Sequence, residues 1–243
     1  MRRLAYLLAN NNGLPGIKKD MEDFQSFLTG CSGGAWEAGE IVCRYNIRLS
    51  RLWGDLSLIK EGHYDYVLFY YSGHGDWKRE TRLYINESDE YVLESYTAGL
   101  ATRQLSIFDC CRVIPCIPSE KKIAATNEAF SNKVTLHNLA RLRFDKLVMA
   151  APEQGLSLYA CELNQCAMAT EDGSLYTQAL LETAISKSVS CDVSAAGVHD
   201  DSCSVVSIKA AVLGHTQNPV RNPNGSDNVS LPFAIHSPQI ALG

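Results

Sequence analysis

Residues 65–77 read DYVLFYYSGHGDW. From Tyr66 to Tyr71 every side chain is apolar or aromatic. An unbroken run of that kind suits a strand covered on both faces, because successive residues of a strand point to opposite sides. His74 follows almost at once, between Gly73 and Gly75. In open α/β sheets, ligand and active sites gather outside the carboxyl ends of strands, and His74 stands at such an end. Its flanking glycines let backbone approach a substrate closely and leave the Gly75 amide able to donate.

The chain to either side of this segment repeats the same grammar. Upstream, LAYLLA (4–9) is a short apolar run stopped by Asn10, Asn11, Asn12 and Gly13, which suit a turn. Ile17, Met21, Phe24, Phe27 and Leu28 form a helical stripe closed by Gly30. A second strand is expected over 40–45. A second helix is expected over 48–60, where Leu49, Leu52, Trp53, Leu56 and Ile59 share a face. Downstream, the pattern predicts hairpin strands at 82–86 and 91–94, a short helix near 95–102 and a buried strand at 104–109. Residues 112–144 hold two prolines, several basic residues and no sustained period, and predict mainly a long loop. Beyond it come an expected strand at 145–151, a helix at 174–187, a helix near 201–214, a turn-rich loop at 217–228 and a last strand at 229–236. Strand–helix–strand units in this order imply an α/β fold, a mostly parallel sheet of about six strands with helices on both faces.

The next core strand ends as the first does, on reactive residues. SIFDCCR (106–112) releases Asp109, Cys110, Cys111 and Arg112 from a buried run. A thiol at one strand end with an imidazole at a neighbouring one is the arrangement for nucleophilic catalysis. Either residue alone carries little weight, since a histidine after a strand is more often incidental and a cysteine there more often packing. Their pairing is the signal.

Composition narrows the alternatives. The net charge of −5 gives no reason to expect a nucleic-acid partner. The longest apolar runs, VLFYY (67–71) and AYLLA (5–9), are far too short to span a bilayer. The opening MRRLAYLLANNNG has too short an apolar core for a signal peptide and no small-residue cleavage site, so a strand explains it better. Nine cysteines include no pattern with zinc spacing: Cys161 and Cys166 have no histidine beside them. Reduced, mostly buried thiols in a cytoplasmic protein are the expectation, with no metal and no cofactor. No clear carboxylate cluster is spaced for calcium.

At this point the chain resembles the clan of caspases, metacaspases and paracaspases. Ser72-Gly73-His74-Gly75 is similar to the clan's Ser-Gly-His-Gly segment, and Asp109-Cys110-Cys111-Arg112 to its Asp-x-Cys or Gln-Ala-Cys-Arg-Gly segment. LPGIKKDMEDFQSFL (14–28) resembles the first helix with its Leu-x-Gly-x-x-x-Asp pattern. DGSLYTQALLE (172–182) resembles Gly-x-Phe-Thr-x-Ala-Leu-Leu-Glu, and HTQNPVRNP followed by LPFAI resembles the usual ending. These segments run in order over nearly the whole chain. Val113 departs from the Gly of the caspase motif, and only 37 residues separate His74 from Cys111.

The resemblance implies a caspase-like fold over residues 1–243, with a large-subunit-like part (1–111), an intersubunit-type loop (112–144) and a small-subunit-like part (145–243). It implies a cysteine endopeptidase in which the Cys111 thiolate attacks a peptide carbonyl and His74 moves the proton. The oxyanion would rest on the backbone amides of Gly75 and Cys111. Cys110 competes for the nucleophile's role, but both the Asp-x-Cys and the Cys-Arg registers select Cys111, and strand alternation turns Cys110 to the other face. No third member of a triad is identifiable. In relatives that cut after basic residues, two acids line the primary pocket; the matching positions are Asp20 and Asp109. Cleavage after Arg, with Lys as a further candidate, is the resulting expectation. Lys121, Lys122, Lys133, Arg141 and Arg143 make the 112–144 loop a candidate for self-cleavage or, equally, a basic surface loop. Partners are expected to be protein or peptide substrates and a separate activator or upstream protease, because no recruitment module precedes the first strand. Family analogy suggests a defence or cell-death pathway. The competing reading is a catalytically inactive caspase-like scaffold.

Overall fold

Two strands set the frame. In the computed structural model, which describes residues 1–14, 16–114, 134–224 and 231–236, β1 (Arg3–Ala9) and β3 (Tyr66–Ser72) are buried along their whole length. Between them lie α1 (Ile17–Thr29), β2 (Ile41–Tyr45) and α2 (Leu49–Glu61). After β3 come a small antiparallel sheet of β4 (Gly75–Lys78), β5 (Glu80–Tyr84) and β6 (Tyr91–Leu93), a 3₁₀ turn at Glu94–Thr97, and β7 (Arg103–Asp109). The remainder is α3 (Val134–Ala150), β8 (Gln154–Tyr159), a two-stranded β9 (Ala169–Thr170) and β10 (Gly173–Ser174), α4 (Leu175–Ser188), β11 (Val193–Ser194), α5 (Ala195–Val212), β12 (Val220–Asn224) and β13 (Pro232–Ala234).

Six strands make the central sheet in the order β12-β8-β7-β3-β1-β2. All neighbours are parallel except the edge strand β12, which runs antiparallel to β8. Alternation splits the core in two. Ala5, Leu7, Tyr66, Leu68, Tyr70, Leu105 and Ile107 face α1, α3, α4 and α5. Leu4, Tyr6, Leu8, Val67, Phe69, Tyr71 and Phe108 face α2 and the small sheet. Parallel strands with both faces covered must read as continuous apolar runs, and these do.

Six expectations need correction, four of them in the second half of the chain. The apolar run 145–151 is the end of α3, not a strand. Ala140, Phe144, Val148 and Ala151 are buried at helical spacing, and a short apolar run alone does not distinguish strand from buried helix. The same helix takes up residues 134–144, so the last third of the expected loop is ordered helix, and the strand follows it as β8. Within the 217–228 loop, β12 forms the sheet edge, with Pro223 opposite Leu156; an edge strand tolerates proline because one side of its ladder has no partner. The expected last strand is shorter and pairs with β11 rather than joining the central sheet. In the first half, residues 75–78 form β4, the strand missing from the predicted hairpin, and a 3₁₀ turn replaces the short helix at 95–102.

Register fixes where chemistry can occur. Ser72 is paired with both Ala9 and Asp109, so β1, β3 and β7 finish level. His74 and Cys111 therefore leave the sheet side by side, each the second residue past a paired strand end.

Candidate active site

The His74 turn is held from beneath by fully buried side chains. Tyr71 directs its hydroxyl to the carbonyls of His74 and Tyr84, and Gly73 N donates to Asp109 O (3.1 Å). His74 itself is exposed, with ring Nε2 2.7 Å from the Asn12 carbonyl. A carbonyl can only accept, so Nε2 carries the proton and Nδ1 is left as the basic nitrogen. Asn12 is thus an orienting group of the kind the sequence did not reveal. Its signal was only the Asn10–Gly13 turn: Asn10 Oδ1 accepts from Asn12 N (3.1 Å), and Asn46 clasps Asn11.

Gly75 stands where the next residue's chemistry requires glycine. A Cβ there would lie 2.7 Å from Cys110 Sγ and 2.8 Å from the Cys111 carbonyl. Tyr84 N donates to His74 O, so the facing Gly75–Leu83 pair is of the non-hydrogen-bonded kind and the Gly75 amide points away from β5. That amide is free of the small sheet's ladder, on the side where the Cys110–Cys111 turn packs.

The two cysteines differ in environment. Cys110 is buried among the aromatic residues on the α2 side, and burial pushes its thiol well above the ordinary range. Cys111 is half-buried at the surface, with Sγ 3.8 Å from the Ala167 carbonyl. Its thiol is also held high, first by donating a hydrogen bond to Cys166 and then by burial. Cys166 is correspondingly drawn down to about 7 by that bond. Arg112 leaves the site altogether, lying over the Tyr159 ring at 4.0 Å with Nε on Thr81. All eight described cysteines are free, and Cys116 lies outside the described residues.

Below this rim the structure brings Asp20 and Asp109 together. Gly16 begins α1 with φ 78°, and a Cβ on it would strike the Thr170 carbonyl at 2.2 Å; glycine alone lets α1 approach the β9–β10 hairpin. Asp20, one turn on, is fully buried and accepts from Ser174 N (2.9 Å), Gln178 Nε2 (3.1 Å) and Ser72 Oγ (3.4 Å). Asp109 Oδ2 accepts from the Ser174 hydroxyl, Thr177 Oγ1 (2.7 Å) and Thr177 N (3.1 Å). Its Oδ1 is buried with no hydrogen-bond partner. Burial, and then the neighbouring Asp109 charge, lift the Asp20 carboxyl to about 7; burial likewise raises Asp109. The segment 172–182 thus supplies Ser174, Thr177 and Gln178, which the sequence placed in a family-like stretch without a role.

Both carboxylates also meet the start of α4, where unpaired amides and the helix dipole favour negative charge. Among the described residues no cluster suits a metal ion, and no helix is long and apolar enough to cross a membrane.

Sequence comparison matches residues 2–221 to the caspase domain. The chain belongs to the caspase-domain family. Family membership carries cysteine peptidase chemistry at the level of the family. The fold is likewise that of caspases. Caspase-1 from Spodoptera frugiperda superposes with a TM-score of 0.58 at 12% identity, covering 91% of this chain and 88% of that one. A protein from Geobacter sulfurreducens superposes with a TM-score of 0.59 at 11% identity, over 98% and 99%. No curated protein matches by sequence. In this caspase domain, then, His74, Cys111, Asp20 and Asp109 share one end of the sheet. Of the basic residues flagged for self-cleavage, Arg141 and Arg143 are helical and ion-paired to Glu40 and Asp192; Lys121, Lys122 and Lys133 lie outside the described residues.

Proposed function

We propose that this caspase-domain protein is a cysteine endopeptidase that cleaves after arginine and, less efficiently, lysine. The observation that carries the specificity is the buried Asp20–Asp109 pair with one unpartnered oxygen, Asp109 Oδ1. A buried pair of carboxylates with one oxygen still lacking a donor is matched by a guanidinium, which offers five N–H groups in a fixed fork. An ammonium brings charge without that fork. In this structure Gly173, Ser174 and Gln178 cover the pair, so arginine enters by displacing the β9–β10 hairpin from Asp20.

In the proposed reaction Nδ1 of His74, freed by the Nε2–Asn12 bond, takes the Cys111 proton and later gives it to the leaving amine. The Gly75 and Cys111 amides stabilise the oxyanion. Substrates are proteins or peptides with an exposed basic residue, met in the cytoplasm. A separate activator or upstream protease, and a role in defence or cell death, complete this reading. Self-cleavage, if it contributes, falls among the lysines before α3, since cutting at Arg141 or Arg143 would first require unwinding the helix.

A scaffold reading has one observation of its own: Ser174, Thr177 and Gln178 already serve both carboxylates, which would suit a purely structural role at the start of α4. Fluorogenic peptides ending in Arg, Lys, citrulline and Asp separate the readings. Turnover in the order Arg, Lys, citrulline is expected. Equal rates for Arg and citrulline would defeat the specificity, and no turnover together with no labelling of Cys111 by an arginyl electrophile would favour the scaffold.

A further inference from the structure

The segment between β8 and β9 lies across the exit of β7 like a strap. Arg112 N donates to Gln165 O and Asn164 N to Arg112 O, both at 3.0 Å. Cys111 Sγ points to Ala167 O, and Cys161 Sγ anchors the strap's start on the carbonyls of Cys110 (3.4 Å) and Gln165 (3.3 Å). Cys166 stands between the two residues, Gln165 and Ala167, that touch Arg112 and Cys111. Cys111 Sγ lies 3.8 Å from the carbonyl of Ala167, the residue after Cys166, so the strap holds the two thiols as neighbours, and each shifts the acidity of the other. Their neighbours are shut away, with Cys110 and Cys161 both buried, whereas Cys166 is exposed.

We propose that Cys111 and Cys166 are a redox pair: a hydroperoxide converts them to a reversible disulfide that takes the nucleophile out of service. The chemistry starts at the exposed member. The Cys166 thiolate attacks a peroxide oxygen, an S–O bond forms as the O–O bond breaks, and the departing oxygen takes up a proton to leave as water or an alcohol. The Cys111 sulfur then attacks the Cys166 sulfenic acid. An S–S bond replaces the S–O bond, and the hydroxide lost combines with the Cys111 proton as water. In sum two thiols and one hydroperoxide give a disulfide, one water and one water or alcohol. A dithiol returns two electrons and two protons to restore both groups. Charge distribution favours this order. Cys166 is the exposed member, open to a peroxide from solvent, and its acidity is drawn down toward neutrality, which favours the thiolate that reacts with peroxide.

Inhibition by the disulfide rests on Cys111 being the nucleophile, but formation of the disulfide does not, so the test reads both. The reduced protein is treated with one equivalent of hydrogen peroxide, quenched and mapped by mass spectrometry of non-reduced peptides. A Cys111–Cys166 link is expected, with loss of two titratable thiols per chain and full recovery in dithiothreitol. Cys166→Ser and Cys111→Ser should each abolish the link. Cys166 is exposed, so its replacement does not endanger folding. Persistence of the link in Cys111→Ser, by way of Cys110, would overturn the proposal; so would sulfinic acid at either residue without a link. In parallel, turnover of an arginine peptide should fall at least tenfold as the link forms and return on reduction. A link in a protein that was inactive from the start defeats the peptidase reading and leaves the redox pair standing. Activity unaffected by a formed link defeats the inhibitory role.

Discussion

The rim and the floor of this site begin from the same strand ends and are built in opposite ways. His74 and Cys111, on the rim, are positioned almost wholly by backbone: a tyrosine hydroxyl on a carbonyl, a level strand register, a glycine that admits a neighbour. Asp20 and Asp109, on the floor, are buried and wired to Ser72, Ser174, Thr177 and Gln178 by side-chain and amide donors. A rim side chain can be removed without leaving a buried partner stranded. On the floor each deletion strands several, and buried unpaired groups are costly. The chemistry is thus separable from stability at the rim and entangled with it at the floor.

The sharpest break of that contrast comes from Cys111→Ala. It should lower kcat/KM for an arginine peptide by about 10⁴-fold or more while shifting Tm by only about 1 °C. Cys110→Ala should do the reverse, costing about 1–2 kcal/mol of stability with modest loss of turnover, because it empties a packed site. Kinetics and thermal denaturation of both variants decide it, and exchanged outcomes would move the nucleophile to Cys110.

Asp109→Asn should strike both properties. Its Oδ2 accepts from three groups, and an amide cannot satisfy them in the same way. A loss of about 2–4 kcal/mol in urea unfolding, with arginine turnover down about 10²-fold, is the expected pair of effects. An Asn variant that is stable yet unselective would show that the floor serves specificity alone.

A smaller, pH-dependent effect belongs to Asp20. Raised to about 7 from an ordinary carboxylate value, it keeps its proton in the folded chain where the unfolded chain has lost it. Its contribution is therefore fully present at low pH, declines as pH rises from about 4 to about 7, and is flat above. Unfolding free energy should fall by about 1–3 kcal/mol across that window, and Asp20→Asn should flatten the decline. Over the same range the preference for arginine over citrulline should grow, since only the ionised pair rewards the charge. A preference independent of pH would detach Asp20 from the pocket.

The smallest effect is far from both regions. Arg141→Ala, which removes the partly buried pairing with Glu40, should cost about 0.5–1 kcal/mol and leave turnover unchanged.

What could be seen in advance follows the same division. β3 and β7 were legible because strands buried on both faces write unbroken apolar runs, and the register that aligns His74 with Cys111 follows from them. Residues 145–151 were not, because a short apolar run is common to strand and buried helix and only Ala140 and Phe144, earlier in the chain, show the helical spacing. The floor lay further out of reach. Asp20 meets Ser174 across 154 residues, and no local pattern records such a contact; Asp20 came forward only through family resemblance. Asn12 acts by its carbonyl, which every residue has, and Cys166 looked like one packing thiol among nine.

One consequence of the sheet order concerns the chain as a thread. β7 and β8 lie next to each other in parallel, yet residues 110–153 run between them. A cut anywhere in that connection leaves two fragments that still share one ladder in the middle of the sheet. The polypeptide can be opened there as a coat is opened along a seam, with both sides still buttoned. Two separately expressed pieces meeting at β7 and β8 would have that ladder as their common edge, and joining them would complete the floor, since Asp109 lies on one side and Ser174 on the other.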